Sequence, residues 1–328
     1  MVISGASADQ IRRWGERLPR SLPIRLRKVP DPRSGDFERF VQEFARCAGN
    51  VRIIMDEGGP GELPAIVVSD SLIYQALPYD RELAPFLEFL TNSLGEIDPP
   101  AFDLKEKLGR IDWPADITIF IAPGCPHCPE AVKQIGLLAF HQPWIRITIV
   151  DAALFPEISA PLAIRAVPTI LLDGQFRWTG SVELTELLDT LIHRDSARLP
   201  ASSLKTLLKD GQAERLAQMM IERGEIFPAL ADLLTHPEWS VRLGAVVVAE
   251  EIIEKSPELA IALPPPLWAK FYGADETVKG DILYLIGLAG SPREWSERFE
   301  EIVRSDLAED LRETAREALD RWNSGREA

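Results

Sequence analysis

Two stretches of this chain follow one plan. In the second, "DITIFIA" (116–122) has the pattern of a buried strand, and residues 125–140 carry apolar residues at helical spacing. "IRITIVD" (145–151) is a strand, "FPEISAPLAI" a short helix, "VPTILLDG" and "QFRWTG" two more strands, and "SVELTELLDTLI" a closing amphipathic helix. The order is β-α-β-α-β-β-α, with the helix "FDLKEKLGRI" ahead of it. From about residue 7 to 97, "LPIRLRKVP", "DFERFVQEFARCAG", "VRIIMDEG", "LPAIVVSD", "LIYQALP" and "ELAPFLEFLTNSL" fill the same roles. The third strands match at an offset of 104: Pro64 falls against Pro168, Ile66 against Ile170 and Tyr74 against Trp178. Such a duplication confines this part of the chain to one α/β fold built twice. The copies differ at one place. Where the second has "PGCPHCPE", the first has "PDPRSGDF", without cysteine, so the first copy reads as a scaffold or modifier.

After Pro200 the β-branched runs stop and paired helix patterns begin. "SVRLGAVVVAEEII", "ETVKGDILYLIGLAG" and "DLRETAREALDRW" align on Val241-Arg242, Val278-Lys279 and Leu311-Arg312, spaced by 37 and 33 residues. A shorter amphipathic helix precedes each, and "LKTLLKD" with "QAERLAQMMIERG" begins the series. Helix pairs at this period predict an α-solenoid, and the pattern resembles HEAT repeats. Three domains are therefore expected: 1–97, a degenerate α/β unit; 98–197, the unit with the cysteines; and 198–328, all-α. Residues 201–328 hold 24 Asp and Glu against 15 Lys and Arg, a net of −9 within the chain's −15.

That acidity argues against nucleic acid, whose phosphates need surplus Lys and Arg. No apolar run reaches the roughly 18 residues of a membrane span. "MVISGASADQIRRWGERL" has no apolar core of a signal peptide. Cys47, Cys125 and Cys128 are the only cysteines, too few for a disulfide framework, so a reducing, cytoplasmic setting is expected. Cys47, beside apolar helix positions, reads as packing.

Cys125 and Cys128 could hold a metal, exchange a disulfide or fill space. A structural zinc site needs four ligands. His127 lies inside the loop and cannot easily close a tetrahedron with its own neighbours, and no second CxxC exists, so no metal is expected. Redox exchange has the fuller physical case. Cys125, placed by the pattern at a helix start, would have unpaired N–H groups and the helix dipole to stabilise its thiolate, lowering its pKa. Cys128, one turn later, can attack a mixed disulfide. Pro126 suits a first helical turn, and His127 can add positive charge or a donor near the sulfur.

On "CPHCPEAV", "AVPTILLDG" and "LPAIVV", residues 20–194 resemble two fused thioredoxin-like or glutaredoxin-like units, as in the protein disulfide oxidoreductases and the N-terminal domain of the alkyl hydroperoxide reductase flavoprotein. The resemblance implies that Cys125 attacks, Cys128 resolves and Pro168 is cis, with the Val167-Pro168-Thr169 backbone pairing with an extended substrate. It also implies an acid on the last helix of the first unit near the redox centre, which "ALPYDREL" places at Glu82; the plain alternative is that Glu82 only starts a helix. "GGPGE" (58–62) precedes a strand, so it is no dinucleotide loop, and no flavin or nicotinamide segment is read. No cofactor beyond the disulfide is expected, and a separate reductant is. Cys-Pro-His-Cys matches periplasmic oxidants of the DsbA type, suggesting a more oxidising potential than thioredoxin's. No basic residue directly precedes Cys125 to meet a glutathione carboxylate. The expected function is a thiol–disulfide oxidoreductase acting on a protein disulfide or a peroxiredoxin-like partner, with the helical repeats docking the partner. The other reading is an adaptor or redox-regulated interaction protein in which the CxxC is incidental.

Overall fold

The computed structural model describes residues 3–59, 61–95 and 97–324. Pro60, in the middle of "GGPGE", lies outside them, as do residues 325–328. The chain divides into two compact units, one ending at Arg194 and the other beginning at Asp195.

The first unit has strands β1 (Leu22–Lys28), β2 (Val51–Glu57), β3 (Ala65–Ser69), β4 (Leu72–Gln75), β5 (Ala115–Ile121), β6 (Ile145–Asp151), β7 (Thr169–Leu172) and β8 (Phe176–Thr179). Its helices are α1 (Gly5–Gly15), α2 (Ser34–Ala48), α3 (Leu83–Asn92), α4 (Phe102–Leu108), α5 (Cys128–Gly136), α6 (Leu138–His141), α7 (Pro156–Ser159) and α8 (Leu184–His193). The two copies share one eight-stranded sheet, ordered β2-β1-β3-β4-β6-β5-β7-β8. Each copy contributes four strands in the same order: a parallel pair, then two antiparallel strands. The copies join where β4 pairs in parallel with β6, Leu72 against Ile147 and Tyr74 against Ile149. β1 alternates, with Leu22, Ile24 and Leu26 buried and Arg25 and Arg27 half-exposed. β7 is buried at every position, as a strand covered on both faces requires.

Phe40 and Phe44 of α2 meet Phe86 of α3 at 6.2 and 5.7 Å between ring centroids, and Phe86 meets Tyr74 of β4 at 5.1 Å. α3 also crosses α5 of the other copy. A Cβ at Gly136 would stand 2.3 Å from Phe89 Cζ, so glycine permits this close approach, and Lys133 pairs with Glu88 at 3.0 Å beside it. The crossing ties the segment just before α3 to the helix that starts at Cys128.

The second unit is all-helical among its described residues: α9 (Ala201–Lys209), α10 (Ala213–Arg223), α11 (Leu230–Leu234), α12 (Trp239–Lys255), α13 (Pro257–Ala260), α14 (Pro264–Phe271), α15 (Glu276–Ala289), α16 (Pro292–Arg304) and α17 (Glu309–Ser324). Arg242 of α12 pairs with Asp281 of α15 at 2.7 Å, 39 residues on. Tyr284 donates to Glu250, 34 residues apart, and Trp322 Nε1 of α17 donates to the Gly287 carbonyl of α15, 35 apart. Two successive long-range contacts between α12 and α15 thus advance in the same direction along both helices, so the two run alongside each other in parallel. No described helix is long and apolar enough to cross a membrane.

Candidate active site

β5 ends at Ile121, and the chain turns through Gly124, whose φ of +77° suits a residue without Cβ. Cys125 follows, half-buried, then Pro126 and His127, both exposed. The helix starts at Cys128, with Pro129 in its first turn, and not at Cys125, where the sequence pattern places it. The reason is local: Pro129 has no N–H to bond back to the Cys125 carbonyl, and the Ala131 N–H instead bonds to the His127 carbonyl at 3.4 Å. Pro126 and His127 therefore lie in the loop ahead of the helix. Even so, the first helical amide serves the sulfur, because the Cys128 N–H lies 3.1 Å from Cys125 Sγ and donates to it. The two cysteines form a disulfide with Cα atoms 5.6 Å apart. Cys128 is fully buried, so Cys125 is the accessible sulfur.

Cys125 Sγ lies 3.8 Å from the Val167 carbonyl oxygen. The Val167–Pro168 peptide bond is cis. Thr169 Oγ1 donates to the Ala166 carbonyl at 2.8 Å, and the Gly180 N–H donates to the Pro168 carbonyl at 2.8 Å, which fixes this turn beside the disulfide.

Glu82 closes a short 3-10 turn, Asp80–Glu82, just ahead of α3. It shares a cleft of about 260 Å³ with Cys125, walled by Leu77, Tyr79, Ile121 and Leu154. The residue is only 7% exposed, and among the described residues neither carboxylate oxygen has a hydrogen-bond partner. Burial pushes its pKa up to about 7. Its side chain makes no capping bond to α3, so the carboxylate is not engaged as a helix cap. Tyr74, fully buried, has its hydroxyl pushed up by burial and by the charge of Glu82. Cys125, Cys128, Glu82, Val167 and Pro168 thus surround one centre, Thr169 braces it, and Pro126 and His127 lie on its outer rim. Cys47 is half-buried in α2 and packs against the core. Among the described residues no three His, Cys, Asp or Glu side chains gather to hold a metal.

Sequence reasoning missed Arg33. α2 begins at Ser34 as α5 begins at Cys128, so Asp31-Pro32-Arg33-Ser34 stands where the other copy has Cys125-Pro126-His127-Cys128. The shared proline was the available signal. Arg33 pairs with Asp31 and with Glu157 at 2.6 Å each, donates to the Leu154 carbonyl at 2.9 Å and lies 4.3 Å over the Phe155 ring. Its hydrogen bonds to them, more than its charge, hold both carboxyls below the usual range. The first copy's counterpart of the CxxC therefore anchors the segment whose Leu154 walls the Glu82 cleft.

A family model described as "Thioredoxin domain" matches residues 115–193. The alkyl hydroperoxide reductase F subunit of Pseudomonas putida is 25% identical over 202 residues, 60% of this chain and 39% of that protein. This chain spans 37–40% of the length of four curated relatives that it matches, two of them F subunits and two named NADH dehydrogenase. Among solved structures, the alkylhydroperoxide reductase F subunit of Enterococcus faecalis matches with a TM-score of 0.51 and 20% identity, over 58% of this chain and 100% of that one. A protein disulfide oxidoreductase from Aeropyrum pernix matches with a TM-score of 0.51 and 18% identity, over 58% of this chain and 93% of that one. The chain therefore combines a thioredoxin-like α/β region with an all-helical C-terminal part.

Proposed function

We propose that the protein is a thiol–disulfide oxidoreductase working through Cys125 and Cys128. The observation that carries this reading is the asymmetry of the pair: Cys125 opens to a cleft beside the Val167 backbone, while Cys128 is fully buried behind it. In the dithiol form, the Cys125 thiolate, faced by the Cys128 N–H, attacks a substrate disulfide. One substrate sulfur leaves as a thiolate and takes a proton. Cys128 then loses its proton to Glu82, attacks Cys125, and releases the second substrate thiol as the internal disulfide forms. A carboxyl titrating near neutrality can both accept and return that proton. The substrate is reduced by two electrons and the protein oxidised by two; a separate dithiol reductant restores it.

The substrate is a protein disulfide, and a peroxiredoxin-like partner belongs to the same reading. The helical unit, as a HEAT-like stack, docks that partner. The test is turnover of insulin disulfides with dithiothreitol as donor. The chain should accelerate reduction catalytically, and Cys125→Ser should not; a wild-type rate equal to that of dithiothreitol alone would overturn the proposal.

A further inference from the structure

A second depression is lined by Pro126 and Val167, the neighbours of Cys125, and shares no lining residue with the Glu82 cleft. It measures about 710 Å³ and is floored by Val167, Pro168, Ala131 and Ile135. Its ionisable lining is His127, Glu130 and Glu183; no lysine or arginine lines it. Glu130 accepts a bond from the neutral Gln134 amide at 2.7 Å, and among the described residues its carboxylate joins no ion pair. Glu183 is exposed, and among the described residues its carboxylate joins no ion pair. Across the sulfur, Asp80, Glu82 and Asp151 line the first cleft, with Arg81 the one basic residue of that lining. Arg165, three residues before the cis-proline, is exposed and lines neither. A disulfide approaching Cys125 thus meets carboxylates on both flanks, within a chain of net charge −15.

We propose that this groove selects disulfides that carry positive charge next to the sulfur: a protein segment with lysine or arginine flanking its cysteine. Anionic disulfides such as oxidised glutathione are disfavoured at the same place. The inference rests on the oxidoreductase reading above and names its substrate class. Two features support it. The apolar floor and the Val167 backbone can seat an extended segment, as a peptide groove requires. The groove carboxylates then stand beside the substrate positions flanking the reacting sulfur, where charge complementarity sets the encounter rate and suppresses wrong partners.

The test uses the full chain, reduced with dithiothreitol and freed of it. Three small disulfides serve as probes: cystamine with two ammonium groups, neutral bis(2-hydroxyethyl) disulfide, and dithiodipropionate with two carboxylates. In each reaction the protein dithiol becomes the internal disulfide and the probe becomes two thiols, so protein thiol loss reads the rate. Dividing by the rate of the same probe with dithiothreitol removes its intrinsic reactivity. Cystamine should react fastest and dithiodipropionate slowest, the two differing by about tenfold at low ionic strength. The ratio should collapse in about 1 M salt, where charges more than a few ångström apart are screened. It should fall by at least half, roughly, in the Glu130→Gln/Glu183→Gln double variant. Equal normalised rates for the three probes would overturn the inference. A cystamine preference unchanged in the double variant would also overturn it, assigning the effect to the net charge and not the groove. If no probe reacts at all, the oxidoreductase reading itself fails.

Discussion

Glu82 is buried with no partner for its carboxylate, and that has a thermodynamic sign. Its pKa of about 7 lies above the ordinary glutamate value near 4.5, so the folded chain binds this proton more tightly than the unfolded chain. The residue therefore destabilises nothing below about pH 4.5, increasingly destabilises the fold as pH rises to about 7, and has a constant effect above that, of order 3 kcal/mol. Glu82→Gln should accordingly gain thermal stability over the parent as pH is raised from 5 to 8; melting curves at both pH values would expose a pH-independent difference, which would contradict the burial argument. The same variant should slow the step in which Cys128 resolves a mixed disulfide and lack the inflection near pH 7 expected of the parent. At the sulfurs, exposure decides: in the reduced protein Cys125 should react with iodoacetamide well before Cys128, which is fully buried. Mass mapping of partly alkylated protein measures this, and faster labelling of Cys128 would reverse the assigned roles.

The contact between α3 and α5 is where two elements of different copies set the position of Glu82. Gly136→Val would place side-chain atoms against Phe89 and push α3 outward. We expect a loss of about 1–3 kcal/mol from overpacking, together with a shift of the near-neutral inflection to lower pH as water reaches Glu82. Unchanged melting would show that α3 yields without strain. Most elements were legible: alternating and helical apolar patterns gave the strands, the longer helices after α1 and the all-helical C-terminal part, and the strand–CPHC–helix order with "AVPT" marked the centre. Three things were not. The start of α5 depends on the missing N–H of Pro129, which apolar periodicity does not register. The pairing of β4 with β6 joins residues such as Leu72 and Ile147, and nothing in "LIYQ" distinguishes an edge from a seam. The bond from Arg33 to Leu154 spans 121 residues, so "PDPRSGDF" could be read only as a missing site and not as an anchor.

At the scale of the molecule, the chemistry belongs to the first unit. Its buried core runs from Ile3 to Leu191 and includes Cys128. A fragment ending at Arg194 should fold and keep its exchange rate with bis(2-hydroxyethyl) disulfide within about twofold; on the proposal that the helical unit docks the partner, it should lose rate with a protein substrate. Rates for both substrates on fragment and full chain measure this; a folded fragment inert toward the small disulfide would place part of the active site in the helices. The central claim is that Cys125 attacks and Cys128 resolves. Intact-mass analysis of reduced protein exposed to one disulfide substrate tests it most directly. Cys128→Ser should accumulate a stable adduct of one substrate half on Cys125, the wild type should pass to the internal disulfide without retaining it, and Cys125→Ser should stay unmodified. An adduct on Cys128 in the Cys125→Ser variant, with Cys128→Ser left unreacted, would contradict the account.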